Sequence, residues 1–171
     1  MQLMPHRARA RAGLGLALAL GSGCSVSEGD DGAGSACGPS EGVVAQVIDG
    51  DTIDLASGER VRYLMIDTPE STVEQECWGP EAKAANAMLV SGQTVQLSYD
   101  LECEDEFGRL LAYVSVSGQV INEVLVERGH ACVLHIPPNG EALVDTYEAL
   151  EYEAEQLNKG LWSACDPAPC G

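Results

Sequence analysis

The chain has 171 residues, of which 45% are hydrophobic, 21% are charged and only 5% are aromatic. Its formal net charge is −18 at pH 7, with 9 lysines and arginines against 27 acidic residues. This hydrophobic content excludes a wholly disordered chain, and so acidic a protein cannot bind polyanions through a general basic surface.

The first 24 residues have the pattern of a signal peptide. A basic stretch with Arg7, Arg9 and Arg11 precedes the apolar run 14–20, which is too short to span a bilayer. Small residues then lead to Cys24, as in the lipobox of lipoproteins, although Leu20 lies four residues before the cysteine instead of the usual three. We therefore expect an exported chain, anchored to a membrane by a lipid on Cys24 or, after ordinary cleavage, secreted.

Composition divides the remainder of the chain into three parts. Residues 25–41 are rich in Gly, Ser, Asp and Glu and have no hydrophobic period, which predicts a flexible tether. A folded domain is expected over residues 42–165, and residues 166–171 form a short C-terminal tail.

The cysteines support export. If Cys24 is lipidated, an even set remains, and in an exported chain this indicates up to three disulfides. These cysteines are Cys37, Cys77, Cys103, Cys132, Cys165 and Cys170. We expect a Cys77–Cys103 bridge, because both residues lie on segments that should converge on the site described below. In the chain-entropy model its closure contributes about 3 kcal/mol. A zinc site is the alternative, and the lack of a C-x-x-C pair disfavours it.

The first half of the domain predicts a three-stranded meander. Residues 43–48 form a β-rich run that ends at the turn dipeptide Asp49-Gly50, and residues 52–55 alternate as a half-buried strand does. A third strand is expected over residues 60–66, with Arg62 on the same face as Leu64 and Ile66.

The second half adds helices and two more strands. Strands are predicted at 94–99 and 108–116, and helices at 81–90, 122–128 and 141–159. The apolar stripe of the last helix comprises Leu143, Tyr147, Leu150, Ala154 and Leu157, and Trp162 is expected in the core. Five strands with a helix between the third and the fourth have the order of an OB-fold barrel. The predicted class is therefore α+β, mainly β: a five-stranded OB-fold barrel with three helices.

Three short segments carry the residues suited to phosphodiester hydrolysis. Asp51 begins one strand and Asp67 ends another, so a meander can bring both carboxylates to one rim, where they would bind a hard cation. Glu70 follows a proline and can face the same cation and accept a proton from water. Arg62 and Arg109 can each bind phosphate oxygens in a bidentate way.

Each of these residues also has a plain structural explanation. Asp49 and Asp51 flank a glycine, as in many hairpin turns. Arg62 can be a surface arginine on a strand, and Arg109 a charge at the end of a turn. The metal and phosphate interpretation is favoured because the residues occur together.

The same segments resemble the staphylococcal nuclease (thermonuclease) family over about residues 43–162. The resemblance is carried by Asp49-Gly50-Asp51-Thr52, the block from Arg62 to Glu70, Gly79-Pro80-Glu81-Ala82, Asp105-Glu106-Phe107-Gly108-Arg109, Leu111-Ala112-Tyr113, Val120-Ile121-Asn122-Glu123, Leu125-Val126 and Leu161-Trp162-Ser163. Each piece is weak alone, whereas their joint order and spacing are specific.

The resemblance implies an OB-fold, bound Ca²⁺, and hydrolysis of DNA or RNA at the P–O5′ bond, which leaves 3′-phosphates. By position, Asp51, Asp67 and the Thr68 carbonyl match the calcium ligands, and Glu70 matches the residue that activates water. Arg62 and Arg109 match the two phosphate-binding arginines. Nucleic acid is therefore the expected substrate, and we expect a monomer.

The chain departs from the family pattern around the expected substrate. Two tyrosines that flank the nucleotide base correspond roughly to His135 and Pro137, and a tyrosine before the Gly-Arg pair is Phe107. The loop at 71–76 is acidic where the family has a basic one. These changes weaken base stacking and substrate affinity at low salt.

Two other functions compete with a nuclease. One is a non-catalytic OB-fold module that binds nucleic acid at the cell surface, and the other is a structural calcium-binding lipoprotein. The set of Arg62, Glu70 and Arg109 argues against both, because neither function needs a spare base and two arginines.

Overall fold

The computed structural model describes residues 36–72 and 75–170. The predicted signal peptide, Cys24 and most of the predicted tether lie outside the described residues. The described residues form eight strands: β1 (Glu41–Asp49), β2 (Thr52–Leu55), β3 (Arg60–Tyr63), β4 (Ile66–Asp67), β5 (Thr94–Ser98), β6 (Leu110–Val116), β7 (Gln119–Val120) and β8 (Cys132–Val133). Four helices accompany them: α1 (Gly79–Val90), α2 (Ile121–Glu127), α3 (Val144–Gln156) and α4 (Leu161–Ala164).

Five strands close a mixed barrel. Strand β1 pairs antiparallel with β5 through its first residues and with β2 through the others, and β2 pairs antiparallel with β3. Strands β5 and β6 are antiparallel, and β3 pairs in parallel with β6, which completes the circle. The predicted five-stranded OB-fold barrel in a mainly β, α+β domain is therefore confirmed.

Alternation along the strands fills the barrel. In β6 the residues that point inward are buried and those between them are partly exposed, as a period of two requires. Helix α1 packs on β1, and α2 packs on both β6 and α3. The fully buried side chains include Ile53, Val61, Val95, Val114, Leu125 and Tyr147.

The third strand ends three residues earlier than predicted. The chain turns at Leu64-Met65, where Met65 has a φ of 67°, and Ile66–Asp67 then pair with Val133 and Cys132 of β8. The prediction that the side chains of residues 60–66 alternate between the two faces of one strand is therefore wrong beyond Tyr63. Leu64 and Ile66 are both buried, whereas the turn frees the side chain of Asp67.

The third helix is shorter than predicted. It spans Val144–Gln156, with Leu143 at the N-cap position and with Leu157, followed by Asn158 at a φ of 50°, at its C-terminal end. Leu157 is 60% exposed and is not part of the apolar stripe, whereas Ala154 is fully buried. Trp162, predicted in the core, is only partly buried and lies on α4, a one-turn helix that was not predicted.

The disulfides differ from the predicted pairing. They join Cys37 to Cys103, Cys77 to Cys165, and Cys132 to Cys170. The predicted Cys77–Cys103 bridge is wrong because Cys77 lies against α4, with its Sγ 3.8 Å from the Ala164 carbonyl oxygen. The described residues contain three bridges, which is the largest number predicted. The Cys132 and Cys170 sulfurs lie near Glu151, but their mutual bond removes the thiolates that zinc would need.

The first described residues are tied to the barrel. The Leu97 N–H donates to the Ser40 carbonyl, and the Tyr99 hydroxyl donates to the Pro39 carbonyl. With the Cys37–Cys103 bridge, these bonds fix residues 37–40 of the predicted tether beside β5. Within the described part of the chain, no helix has the length and apolar character needed to cross a membrane.

Candidate catalytic and metal-binding site

Asp51 is buried in the turn between β1 and β2. Its Oδ2 accepts hydrogen bonds from the Thr68 N–H at 2.9 Å and the Thr68 hydroxyl at 3.1 Å, and its Oδ1 accepts one from Thr52 Oγ1 at 2.8 Å. The turn needs Gly50, because a Cβ there would lie 2.7 Å from Thr68 Oγ1. The residue that follows β4 is therefore bonded directly to Asp51, through two hydrogen bonds from Thr68.

Arg62 lies on β3 and joins both predicted carboxylate ligands. Its Nη1 donates to the carbonyls of Tyr63 and Ile66 at 2.7 and 2.6 Å, which holds the Leu64-Met65 turn. Its Nη2 donates to Asp67 Oδ1 at 2.7 Å and lies 3.3 Å from Asp51 Oδ2. The side chain is only 12% exposed. Arg62 is therefore an enclosed arginine paired with two carboxylates.

Asp67 stands at the edge of the site. It ends β4, and its side chain is 58% exposed. Partial burial raises the pKa of its carboxyl, Arg62 opposes that rise, and the charges of Asp51 and Glu76 reinforce it. The single arginine does not neutralise this group of acids.

Glu70 lies at the start of a short loop, and two hydrogen bonds between Glu70 and Glu76 close it. Its N–H donates to the Glu76 carboxylate at 3.0 Å, and its carbonyl accepts from the Glu76 N–H at 2.9 Å. Partial burial raises the pKa of the Glu70 carboxyl, and so do its contact with Asp49 and the charges of Asp51 and Asp67. The exposed carboxyl of Glu70 therefore belongs electrostatically to the same acidic group.

Arg109 lies in the loop between β5 and β6. Its Nε donates to Asp105 Oδ2 at 2.6 Å, and its guanidinium carbon lies 5.4 Å from the centre of the Phe107 ring. Burial acts to raise the pKa of Asp105, but hydrogen bonds from Arg109 and from the Phe107 N–H outweigh it and leave the pKa below its ordinary value. Asp105 is therefore an anion that orients Arg109.

The two arginines share one cavity of about 400 Å³. Its apolar wall includes Leu134, Ile136 and Phe107, the last of which is 75% exposed. Its acidic rim is formed by Glu102, Glu104, Asp105 and Glu106. His135 and Pro137, which correspond roughly to the family's base-flanking tyrosines, are not among the described residues that line this cavity. Leu134 and Ile136 line it instead.

Supporting residues were missing from the sequence-based site. Asn86, fully buried on α1, accepts from the Tyr63 hydroxyl at 3.1 Å and donates to the Asp49 carbonyl at 3.1 Å. Asn122, also fully buried, donates to the carbonyls of Leu64 and Ala112. The available signal was an asparagine on an otherwise apolar helix face, where a buried amide needs partners.

Comparison with known proteins agrees with this architecture. The model of the family described as "Staphylococcal nuclease homologue" matches residues 60–164. The chain belongs to the staphylococcal nuclease family. The thermonuclease of Staphylococcus intermedius is 35% identical over 126 residues, which cover 70% of this chain and 74% of that protein.

Two relatives come from Bacillus subtilis (strain 168). Endonuclease YncB is 35% identical over 125 residues, covering 69% of this chain and 59% of that protein. The SPbeta prophage-derived endonuclease YokF is also 35% identical over 125 residues, covering 69% of this chain and 42% of that protein. The chain thus spans about half the length of these two relatives.

The acidic group of this family member fits a hard cation. Asp51, Asp67 and Glu70 offer oxygen ligands, and Asp49 adds a further negative charge. Among the described contacts of these four acids, Arg62 supplies the only positive charge. Asp51 Oδ1 accepts one hydrogen bond in the structure, which leaves a lone pair for a ligand bond. A divalent cation would relieve the mutual repulsion that raises the pKa of Glu70.

Proposed function

We propose that this protein is an exported, Ca²⁺-dependent nuclease that hydrolyses phosphodiester bonds of DNA and RNA and leaves 3′-phosphate products. The observation that carries the proposal is the meeting of two arginines in one cavity, where Arg62 also contacts the carboxylates of Asp51 and Asp67. The relatives named endonuclease and thermonuclease support the same reaction class.

In this proposal Asp51, Asp67 and the Thr68 carbonyl hold the calcium ion. When bound, the ion supplies positive charge that polarises a phosphoryl oxygen. Thr68 donates two hydrogen bonds to Asp51 and so fixes the carboxylate that would bind the ion. Arg62 orients Asp67 through a charge-assisted bond.

The reaction needs a base and two phosphate ligands. Glu70 takes a proton from the attacking water, because its exposed carboxylate lies beside the acids proposed to hold the ion and is free to accept it. Arg62 and Arg109 bind the phosphoryl oxygens whose charge grows in the transition state. The P–O5′ bond breaks, the phosphate stays on O3′, and the 5′ oxygen leaves with a proton from solvent.

Export and anchoring belong to the same proposal. Three disulfides within the described residues suit an oxidising compartment. We infer that the protein acts outside the cytoplasm, secreted or held at a membrane through Cys24.

Digestion of plasmid DNA and of RNA tests the proposal. Ca²⁺ is compared with EDTA across a salt series, and the products are examined for phosphatase-sensitive 3′ ends. We expect Glu70→Gln to lower kcat by at least about 100-fold, because the amide cannot accept the proton. The control is Glu148→Gln, which removes an exposed carboxylate from α3 and should leave kcat unchanged. Calcium-dependent binding without cleavage by the folded protein would instead favour the binding module.

A further inference from the structure

The C-terminal segment is bonded to both sides of the proposed site. Residues 161–170, here called the C-terminal strap, contain Cys165 and Cys170. Cys165 is joined to Cys77, 88 residues earlier in the chain, and Cys170 is joined to Cys132, 38 residues earlier. Cys77 lies in the turn before α1 and Cys132 lies in β8, and each is beside an acidic residue of the site, Glu76 or Asp67.

The first bridge anchors the loop that carries Glu70. Cys77 directly follows Glu76, whose backbone and carboxylate make the two hydrogen bonds that close this loop. The chain then passes so close to the loop that a Cβ on Gly79 would clash with the Glu70 carbonyl. Any displacement of Cys77 is therefore transmitted to the backbone of Glu70.

The second bridge anchors the strand opposite Asp67. In the β4–β8 ladder, Cys132 is the register partner of Asp67, and this ladder has only two residue pairs. So short a ladder is marginal without further support. Strand β8 is also held by the bond from the Val133 N–H to Glu151 Oε1 at 2.7 Å and, directly after its end, by the bond from the Leu134 N–H to the Met65 carbonyl at 2.9 Å.

The strap and the site also line a common cavity. Trp162, Pro169 and Cys170 from the strap face the same space as Asp67 and Glu76. The strap is therefore one wall of a cavity that reaches the acidic group.

We propose that Cys77, Cys132, Cys165 and Cys170 are positioning residues, through which the strap holds Glu70 and Asp67 in their working geometry. This inference uses the roles that the proposed function gives to those two acids. The Cys77–Cys165 bridge acts on Glu70 and therefore on kcat. The Cys132–Cys170 bridge acts on Asp67 and therefore on the affinity for Ca²⁺, with Glu151 limiting the effect.

The three disulfides supply a matched experiment. The variants are C77A/C165A, C132A/C170A and, as control, C37A/C103A, whose bridge spans 66 residues and lies between the other two in length. Because loop-closure entropy changes slowly with length, all three should lose similar stability. Only the first two touch the strap.

Three measurements are made on each variant of the full chain. We expect C77A/C165A to lose about 10- to 100-fold in kcat at saturating Ca²⁺ with little change in KM. We expect C132A/C170A to bind Ca²⁺ alone about 10-fold more weakly by calorimetry. Amide hydrogen exchange of residues 67–72, measured without the ion, should be faster in both but not in C37A/C103A.

The outcomes separate the two proposals. If the wild type neither cleaves nor binds Ca²⁺, the proposed function fails, and hydrogen exchange alone decides the role of the strap. Equal exchange at residues 67–72 in all three variants overturns it, as do losses of kcat that follow thermal stability alone. Should C77A/C165A not fold, insertion of Gly-Gly between Ala164 and Cys165 keeps every bridge but slackens the first one, and it should lower kcat in the same way.

Discussion

At the scale of single residues, the two arginines of β3 differ in burial and in their bonding partners. Arg60 forms an exposed pair with Asp54, whereas Arg62 is almost enclosed and serves two carbonyls and two carboxylates. A lysine can replace the first, but its single ammonium cannot reproduce the fork that Arg62 requires.

We therefore expect Arg62→Lys to lower the free energy of unfolding by about 2 kcal/mol or more, because buried acceptors lose their donors. Arg60→Lys, its neighbour on the same strand, should cost less than about 1 kcal/mol, as exposed ion pairs do. Urea denaturation of both variants gives the comparison. Equal losses would show that Arg62 does not hold the turn in solution.

His130 provides a prediction that depends on pH. Burial, followed by the charge of Arg128, lowers its pKa below the ordinary 6.5. Its Nδ1 accepts a hydrogen bond from Trp78 Nε1 at 3.0 Å, so protonation at this atom must break the bond. The unfolded chain takes up the proton first, and the contribution to stability is full above pH 6.5 and declines as the pH falls toward the lower pKa of the folded protein.

Proton NMR titration of His130 measures this shift directly. We expect an apparent pKa below 6.5 in the wild type and a higher value in Trp78→Phe, which keeps an aromatic ring but removes the donor. A His130 pKa that is unchanged by Trp78→Phe would show that the indole hydrogen bond does not favour the neutral ring.

At the scale of elements, the side-chain amide of Asn122 links α2 to the barrel by hydrogen bonds. Asn122 accepts from the Val114 N–H of β6 and donates to the carbonyls of Leu64 and Ala112. It thereby connects the helix, a barrel strand and the turn that separates Arg62 from Asp67.

We expect Asn122→Ala to cost about 3 kcal/mol, because it leaves buried backbone groups without partners. Glu127→Ala, at an exposed position of the same helix, should change stability by no more than about 0.5 kcal/mol. Thermal unfolding and urea denaturation measure both. A small effect for Asn122→Ala would contradict the structural role given to this amide.

The same elements show what the sequence could and could not predict. Strand alternation and the Asp-Gly turn located the barrel, because those signals are local. The end of β3 was mispredicted because contacts distant in sequence impose the turn at Met65: Asn122 binds the Leu64 carbonyl 58 residues away, and Arg62 binds the Ile66 carbonyl. The disulfide pairing failed for a similar reason, since it depends on where α4 packs.

At the scale of the whole molecule, the negative net charge opposes binding of the proposed nucleic-acid substrate. The net charge is −18, and the cavity that contains both arginines has three rim glutamates, Glu102, Glu104 and Glu106, in addition to Asp105. In most nucleic-acid-binding proteins, salt weakens binding because cations compete with basic residues, and two phosphate contacts would give a slope of about 2 on a log–log plot of KM against salt. Here salt also screens the repulsion between the acidic residues and the phosphates. The screening length falls from about 30 Å at 0.01 M to about 8 Å at 0.15 M.

We therefore expect KM for a short oligonucleotide to fall as monovalent salt rises over this range. The reason is that both arginines are already paired, Arg62 with Asp67 and Arg109 with Asp105, so the unpaired rim glutamates should dominate the long-range charge. The variant E102Q/E104Q/E106Q removes the rim charges, keeps both arginines and should restore a KM that rises with salt. Steady-state kinetics at fixed Ca²⁺ tests both proteins, with kcat as the internal control because none of the three substituted glutamates has a described bond to Asp51, Asp67 or Glu70. A rising KM in the wild type would mean that the phosphate contacts outweigh the acidic surface.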